Sequence, residues 1–345
     1  MLFCMRVVSG LEALACSVWN WSLLTGFRKR RFPTHPMVDR YFRFLPLLLG
    51  VLAFAAFGGF VSDARGEKLP SPADAKGEEK ALSLKAAPLF NVGDFTVTNS
   101  MLVTWVVAAG IIVFAQAATR KIKAVPAGAQ NFWEWLVEGL YNFLESVIGS
   151  HLVRKTFWFF ATIFIFILCL NWFGLIPGVG TIGWGHHDAT NAFHVDRPLL
   201  RGANADLNLT FAMASVFFVL WTVWALQENG IGGFIFHLFG PKGDSKGILK
   251  ILMIVVFFMV GWLEIVSILF RPISLSFRLY GNVYAGENML ESMAHLVPAL
   301  SWLIPVPFYF MELLVGVVQA LVFMLLTAVF TLLIAHHEPA QGVHH

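Results

Sequence analysis

The sequence predicts an all-α, polytopic membrane protein. Three observations carry this expectation. Only 13% of the 345 residues are charged while 57% are hydrophobic, against about 25% charged in a soluble globular domain. Phe and Trp are abundant, at 34 and 12 residues, and aromatic side chains suit lipid-facing surfaces and membrane interfaces. Apolar runs of spanning length recur along the chain, separated by polar segments that carry Gly, Pro, Lys and Arg. The net charge of +3 says little about partners, and no nucleic acid partner is expected. Cys4, Cys16 and Cys169 form no CxxC or Cys/His spacing, so neither a disulfide framework nor a zinc site is indicated. No cofactor is expected.

Taken in order, residues 1–36 mix apolar side chains with the basic cluster Arg28, Lys29, Arg30 and Arg31. After Met37 the pattern is Asp39, Arg40 and Arg43, then an apolar run from Phe44 to Val61, then Ser62-Asp63-Ala64. A positive stretch, an apolar core and small residues describe a secretory signal peptide. Met37 is therefore the expected start, with the run cleaved or kept as an anchor; an ordinary first transmembrane helix is the alternative. Residues 1–64 are read as this extension and 65–97 as a polar external linker, rich in Lys and Glu and holding Pro70 and Pro72. A membrane domain is expected over 98–338, followed by a short tail at 339–345.

The first convincing span is Met101 to Ala118. Arg120, Lys121 and Lys123 close it and place that end in the cytoplasm. Pro126 and Gly128 break the chain, and Asn131 to Gly149 follows with helical periodicity. Glu134, Glu138 and Glu145 share one face of it, while Trp133, Leu136, Val137, Leu140, Leu144 and Val147 fill the other. An amphipathic helix on the cytoplasmic surface, or on a partner, is the reading. Phe157 to Ile176 is the second span. A polar external loop runs to Asp206, and Leu207 to Leu226 is the third span. Lys242, Lys246 and Lys250 mark a cytoplasmic loop.

The segment Leu249 to Leu296 is almost continuously compatible with helix. At 1.5 Å per residue it would run about 70 Å, more than twice a hydrocarbon core of about 30 Å. Two spans with a turn at Arg271-Pro272 would fit, as would one long, strongly tilted helix kinked at Pro272. The single helix is favoured, because no turn chemistry beyond that proline interrupts it. Phe308 to Ala335 is the last span, and the two final helices then form a tilted hairpin.

Ionisable side chains inside a span are costly and by default suggest an ion pathway. Ser274, Arg278 and Asn282 are four residues apart and share a helical face, and Glu264 lies near it. Glu287 follows Arg278 by nine residues, about 900° of rotation, and so faces the other way. Glu287 and Glu291 form an acidic stripe with Tyr280 and Tyr284. In the last span Glu312, Gly316, Gln319 and Phe323 share a face, where Gly316 lets another helix approach closely. Arg271, beside Pro272, reads as a side chain reaching an interface. The whole set suggests two access routes for a small cation, separated by a fixed positive charge. His186, His187, Asp188, His194 and Asp196 crowd the external loop; a metal or a proton-gathering mouth is one reading, a solvated loop the other.

The stretch Arg271-Pro272-Ile273-Ser274-Leu275-Ser276-Phe277-Arg278-Leu279-Tyr280-Gly281-Asn282-Val283-Tyr284-Ala285-Gly286-Glu287 resembles the signature of the a subunit of F-type ATP synthases. Three further blocks agree in order: Asn171 to Pro177, Ala205 to Thr210, and Gln319 to Thr327. The resemblance covers about residues 91–335. It implies that Arg278 is the essential, rotor-facing arginine and that Glu264, Asn282, Glu287, Glu312, Gln319, Asn208 and Asp206 line the ion pathway, the last two at the start of the third span. Many relatives have a His at one of the two positions held here by Glu287 and Glu312, so a His-based relay is in doubt. The resemblance also implies a hairpin packed against a rotor ring of c subunits, a b-subunit peripheral stalk, and the rest of the complex as partners. The implied location is a bacterial inner membrane, with the N-terminus outside after processing and the C-terminus cytoplasmic. The ion is H+ or Na+. No GxxxxGK[ST] motif is present, so nucleotide chemistry is not expected of this chain. A secondary transporter would be expected to show internal repeats, and a membrane metalloenzyme a second ligand box; neither is seen.

Overall fold

The computed structural model describes residues 88–92, 95–120, 128–179, 182–187, 193–239, 248–296, 300 and 302–335. The signal-like run Phe44 to Val61, most of the 65–97 linker, Lys242, Lys246, Asp188 and the 339–345 tail lie outside the described residues. Among the described residues six α-helices follow in order: α1 (Asn99–Thr119), α2 (Ala129–Ile148), α3 (Ser150–Gly174), α4 (Leu207–Phe239), α5 (Ile248–Leu296) and α6 (Pro305–Ala335). Five of them are long and apolar enough to cross a membrane; α2 is not among these. The all-α, polytopic membrane architecture expected from composition is the architecture found.

Two small antiparallel hairpins depart from the loops expected outside the helices. β1 (Pro88–Val92) pairs with β2 (Phe95–Thr98), so the linker ends in ordered strand and not in coil. β3 (Gly183–His187) pairs with β4 (Phe193–Pro198), with His186 opposite His194.

Each helix has a local cause. Gly128 and Gly149, at φ of 61° and 79°, bound α2 at positions that a side chain would strain. The α2 face of Trp133, Val137, Leu140, Leu144 and Ile148 is buried at i, i+3/i+4 spacing, as its periodicity predicts. Phe132, Trp135 and Phe143 are exposed on the same helix, a second aromatic surface that the two-face reading overlooked. The second span begins at Ser150, earlier than Phe157, because nothing between Gly149 and Phe157 breaks a helix. Helix α4 passes beyond the expected Leu226 and breaks at Gly230, at φ 66° and ψ 169°. Helix α5 runs unbroken through Pro272 for 49 residues, so the one-helix reading describes the chain and the two-span reading does not.

Burial is uneven in a way that matters. In α3, 67% of the most apolar window is buried inside the protein, with Phe159, Phe160, Ile163, Phe166 and Ile167 at the centre of the core. In α5 only 17% is buried. Most of the apolar surface of α5 is thus not covered by the described part of its own chain.

Candidate functional site

The side chains named by the sequence reading sort along α5. Arg278 is exposed, on the same surface as Leu269, Phe270, Ile273 and Phe277. Ser274 and Asn282, one turn to either side, are exposed with it. Among the described residues Arg278 has no hydrogen bond or ion pair. Behind it, Leu275 and Leu279 are buried against the bundle. The amide of Asn282 reaches back and donates to Gln319 Oε1 of α6 at 2.7 Å. Gln319 is itself buried, so this contact ties the two hairpin helices together one turn beyond Arg278.

Toward the start of α5, Glu264 lies about 21 Å from Arg278 along the axis. Its Oε1 is 3.6 Å from the Arg271 guanidinium. Arg271 is also held by aromatic rings. Its guanidinium sits 4.5 Å from the Phe330 ring centroid on α6 and 5.6 Å from that of Trp221 on α4. Trp221 donates its indole N–H to the Phe330 carbonyl at 3.1 Å. A cation between two aromatic faces is attracted by their quadrupoles, so Arg271 joins three helices while facing a carboxylate.

Toward the other end, Glu287 lies about 14 Å beyond Arg278 and points into the bundle. Its Oε2 is 3.4 Å from Nε of Arg201, a buried residue of the segment before α4. The approach is close because Gly202 has no side chain: a Cβ there would lie 2.5 Å from Glu287 Oε1. Glu312 of α6 lies over Gly286, where a Cβ would collide with its carboxylate. Glu312 therefore lies over the position next to Glu287 on α5, within electrostatic reach of its carboxylate.

A buried polar network surrounds this pair. Asn171 at the end of α3 donates to the Gly316 carbonyl at 3.0 Å and accepts from Asn204 at 2.7 Å. Gly316 allows this, since a Cβ would come within 3.2 Å of Asn171 Cβ; the helix that its missing side chain admits is α3. Asp206 accepts from Ser100 Oγ of α1 at 2.6 Å and from the Asn208 backbone N–H at 3.0 Å, capping α4. Asn204 is fully buried, and its Oδ1 has no partner among the described protein atoms. Buried polar groups are normally satisfied, so this oxygen is an unmet acceptor within an otherwise paired network.

Arg201, Asn171, Asn204 and Ser100 are thus part of the site without having been singled out from the sequence. No periodicity marks them, since they come from three separate segments. The one available signal was an arginine five residues before the helix-capping Asp206. The side chains of His186, His187, Asp188, His194 and Asp196, on which the metal or proton-gathering reading rests, lie outside the described residues.

The segment that carries all these groups except Ser100 matches a family model, described as ATP synthase A chain, over residues 101–331. The chain belongs to the ATP synthase A chain family. Every site residue from Asp206 to Gln319 lies inside the matched range. The ATP synthase subunit a of Trichlorobacter lovleyi is 32% identical over 249 residues, spanning 72% of this chain and 92% of the relative. A Pelobacter propionicus protein, ATP synthase subunit a 3, is 35% identical over 227 residues, 66% of this chain and 83% of its own. The Anaeromyxobacter relative is 28% identical over a longer stretch of 313 residues, covering 88% of this chain. As a member of this family the chain is a multi-pass membrane subunit of an ATP synthase.

Proposed function

We propose that this chain is the stator subunit that provides two offset half-channels, passing H+ (or Na+) to and from carboxylates on a ring of c subunits and so coupling ion flow to ATP synthesis. The observation that carries this reading is the sorting of charge along α5. Arg278 stands on an apolar surface that the protein does not cover, with no partner of its own among the described residues. Glu287 and Glu312 lie toward one end of the hairpin and Glu264 toward the other.

Orientation follows from the basic residues. Arg120, Lys121 and Lys123 follow α1, while Arg154 and Lys155 open α3. Both positions belong on the cytoplasmic side by the positive-inside rule. The Glu287 end then faces outward and the Glu264 end inward. This is the orientation expected in a bacterial inner membrane, with the N-terminus outside after processing and the C-terminus cytoplasmic.

The mechanism needs a charge that cannot be lost. An ion entering from outside reaches Glu287 and Glu312, and neutralises a rotor carboxylate. The neutral rotor site can then face lipid. On its return it meets Arg278, gives its ion to the route that ends at Glu264, and pairs briefly with the guanidinium. Arginine stays protonated where a lysine would shed its proton, so Arg278 also blocks a direct path between the routes. One elementary charge crossing 100 mV is worth about 2.3 kcal/mol, so several must be summed for each ATP. A b-subunit stalk would hold the stator against this torque.

The proposal is tested by disulfide cross-linking. Phe277→Cys and Ser274→Cys should cross-link to cysteines on the c subunit, whereas Leu275→Cys and Leu279→Cys should not. Cross-linking from the buried pair alone would put the rotor on another face.

A further inference from the structure

The outward carboxylate is held by a residue from a distant part of the chain. Arg201 and Glu287 are 86 positions apart and nearly enclosed, with side-chain exposures of 10% and 18%. Burying a guanidinium at membrane depth is costly unless an anion faces it. The segment that presents Arg201 is fixed on its other side. Residues 201–206 are all buried, with a 3-10 turn at Ala203–Ala205. Asn204 is tied to Asn171, and Asp206 to Ser100 and to the first turn of α4. The guanidinium therefore projects from an anchored backbone. Glu287 is clamped by Arg201 through Oε2, and its Oε1 occupies the space that Gly202 leaves open. The other charges within electrostatic reach of Glu287 are Glu291 and Glu312. Arg201 is thus the basic group set against a local excess of carboxylates.

We infer that Arg201 is a positioning residue of the outer route: its guanidinium holds the Glu287 carboxylate beside Glu312, and ion transfer through Glu287 depends on that placement. This rests on the proposed role of Glu287. It adds a partner which acts through that carboxylate and touches neither the rotor nor Arg278. Protonation of Glu287 removes the charge that holds it to Arg201, so the clamp acts on the ionised form.

The test is a double-mutant cycle in the complete ATP synthase, reconstituted in vesicles and stripped of its soluble head. Passive proton uptake is measured per assembled complex for wild type, R201Q, E287Q and R201Q/E287Q. R201Q should slow uptake about tenfold, within the range of coupling between contacting residues. The double variant should be no slower than E287Q. R201K keeps the charge but not the planar fork. It should assemble fully and slow uptake only about threefold, again with no further effect when added to E287Q. It serves as the test if R201Q does not accumulate. Wild-type uptake per complex in R201Q, or in R201K where only that variant assembles, overturns the inference. So do effects of Arg201 and Glu287 substitutions that multiply, since Arg201 would then act independently of the carboxylate. If E287Q alone conducts normally, the underlying role of Glu287 falls, and this inference with it.

Discussion

Gly286→Ala changes no ionisable group, yet it should slow proton flow. The added Cβ would occupy the space now filled by the Glu312 carboxylate. The obstacle is the far end of a flexible side chain, so the helix need not move; Glu312 can swing away. In an exposed helix, alanine in place of glycine gains about 0.5–1 kcal/mol. Overpacking costs about 1–3 kcal/mol, and the low end applies where a side-chain tip can yield. The net stability change is therefore small, on the order of 1 kcal/mol. Transfer rate is far more sensitive to geometry, and an ångström of misplacement can cost up to about a hundredfold. A loss of about tenfold in ATP-driven acidification of inverted vesicles, normalised to assembled complex, is the expected outcome. Gly110→Ala on α1 is the control, because a Cβ there meets nothing within 4 Å. Normal pumping by fully assembled Gly286→Ala complexes would refute the placement of Glu312 as a working feature.

Three further outcomes follow from the same contacts. Glu312→Gln and Glu287→Gln should each slow proton flow without preventing assembly; normal flux in both single variants and in the double variant would remove them from the pathway. Asn171→Ala removes hydrogen bonds to Gly316 and from Asn204. It should cost about 1–3 kcal/mol, read as a lower melting temperature of the solubilised complex; an unchanged midpoint would mean that the network does not bind the helices. Arg271→Gln removes the cation between Trp221 and Phe330 and should lower the midpoint through a loss of about 0.5–2 kcal/mol. If it does not, that aromatic contact carries no stability.

The sequence was most informative where one helix carries the whole signal. The continuity of α5 was legible because apolar runs lie on both sides of Arg271-Pro272 and no Gly, Asn or Asp offers a turn beside them. A proline removes one backbone donor and strains one turn, which the 49 residues of α5 absorb. The opposed faces of Arg278 and Glu287 followed from helical geometry alone. Partner choice did not. Arg201 reaches Glu287, and Trp221 and Phe330 reach Arg271, across large sequence separations. Periodicity within one helix says nothing about which neighbour fills its groove. The aromatic neighbours of Arg271 were not legible for this reason: an arginine next to a proline carries no mark of the rings on other helices that face it. The hairpins were missed for another reason. Their strands are only four to six residues long, and pairing depends on a register that only the folded chain supplies.

The central claim is that Arg278 is a permanent cation on the rotor-facing surface, and one measurement tests it most directly. Inverted vesicles carrying Arg278→Ala are supplied with ATP and their acidification recorded; passive proton uptake is then measured after the soluble head is stripped. The account predicts complexes that assemble, do not pump, and leak protons passively, because nothing attracts the rotor carboxylate or separates the two routes. Fully assembled Arg278→Ala complexes that pump at the wild-type rate would contradict it.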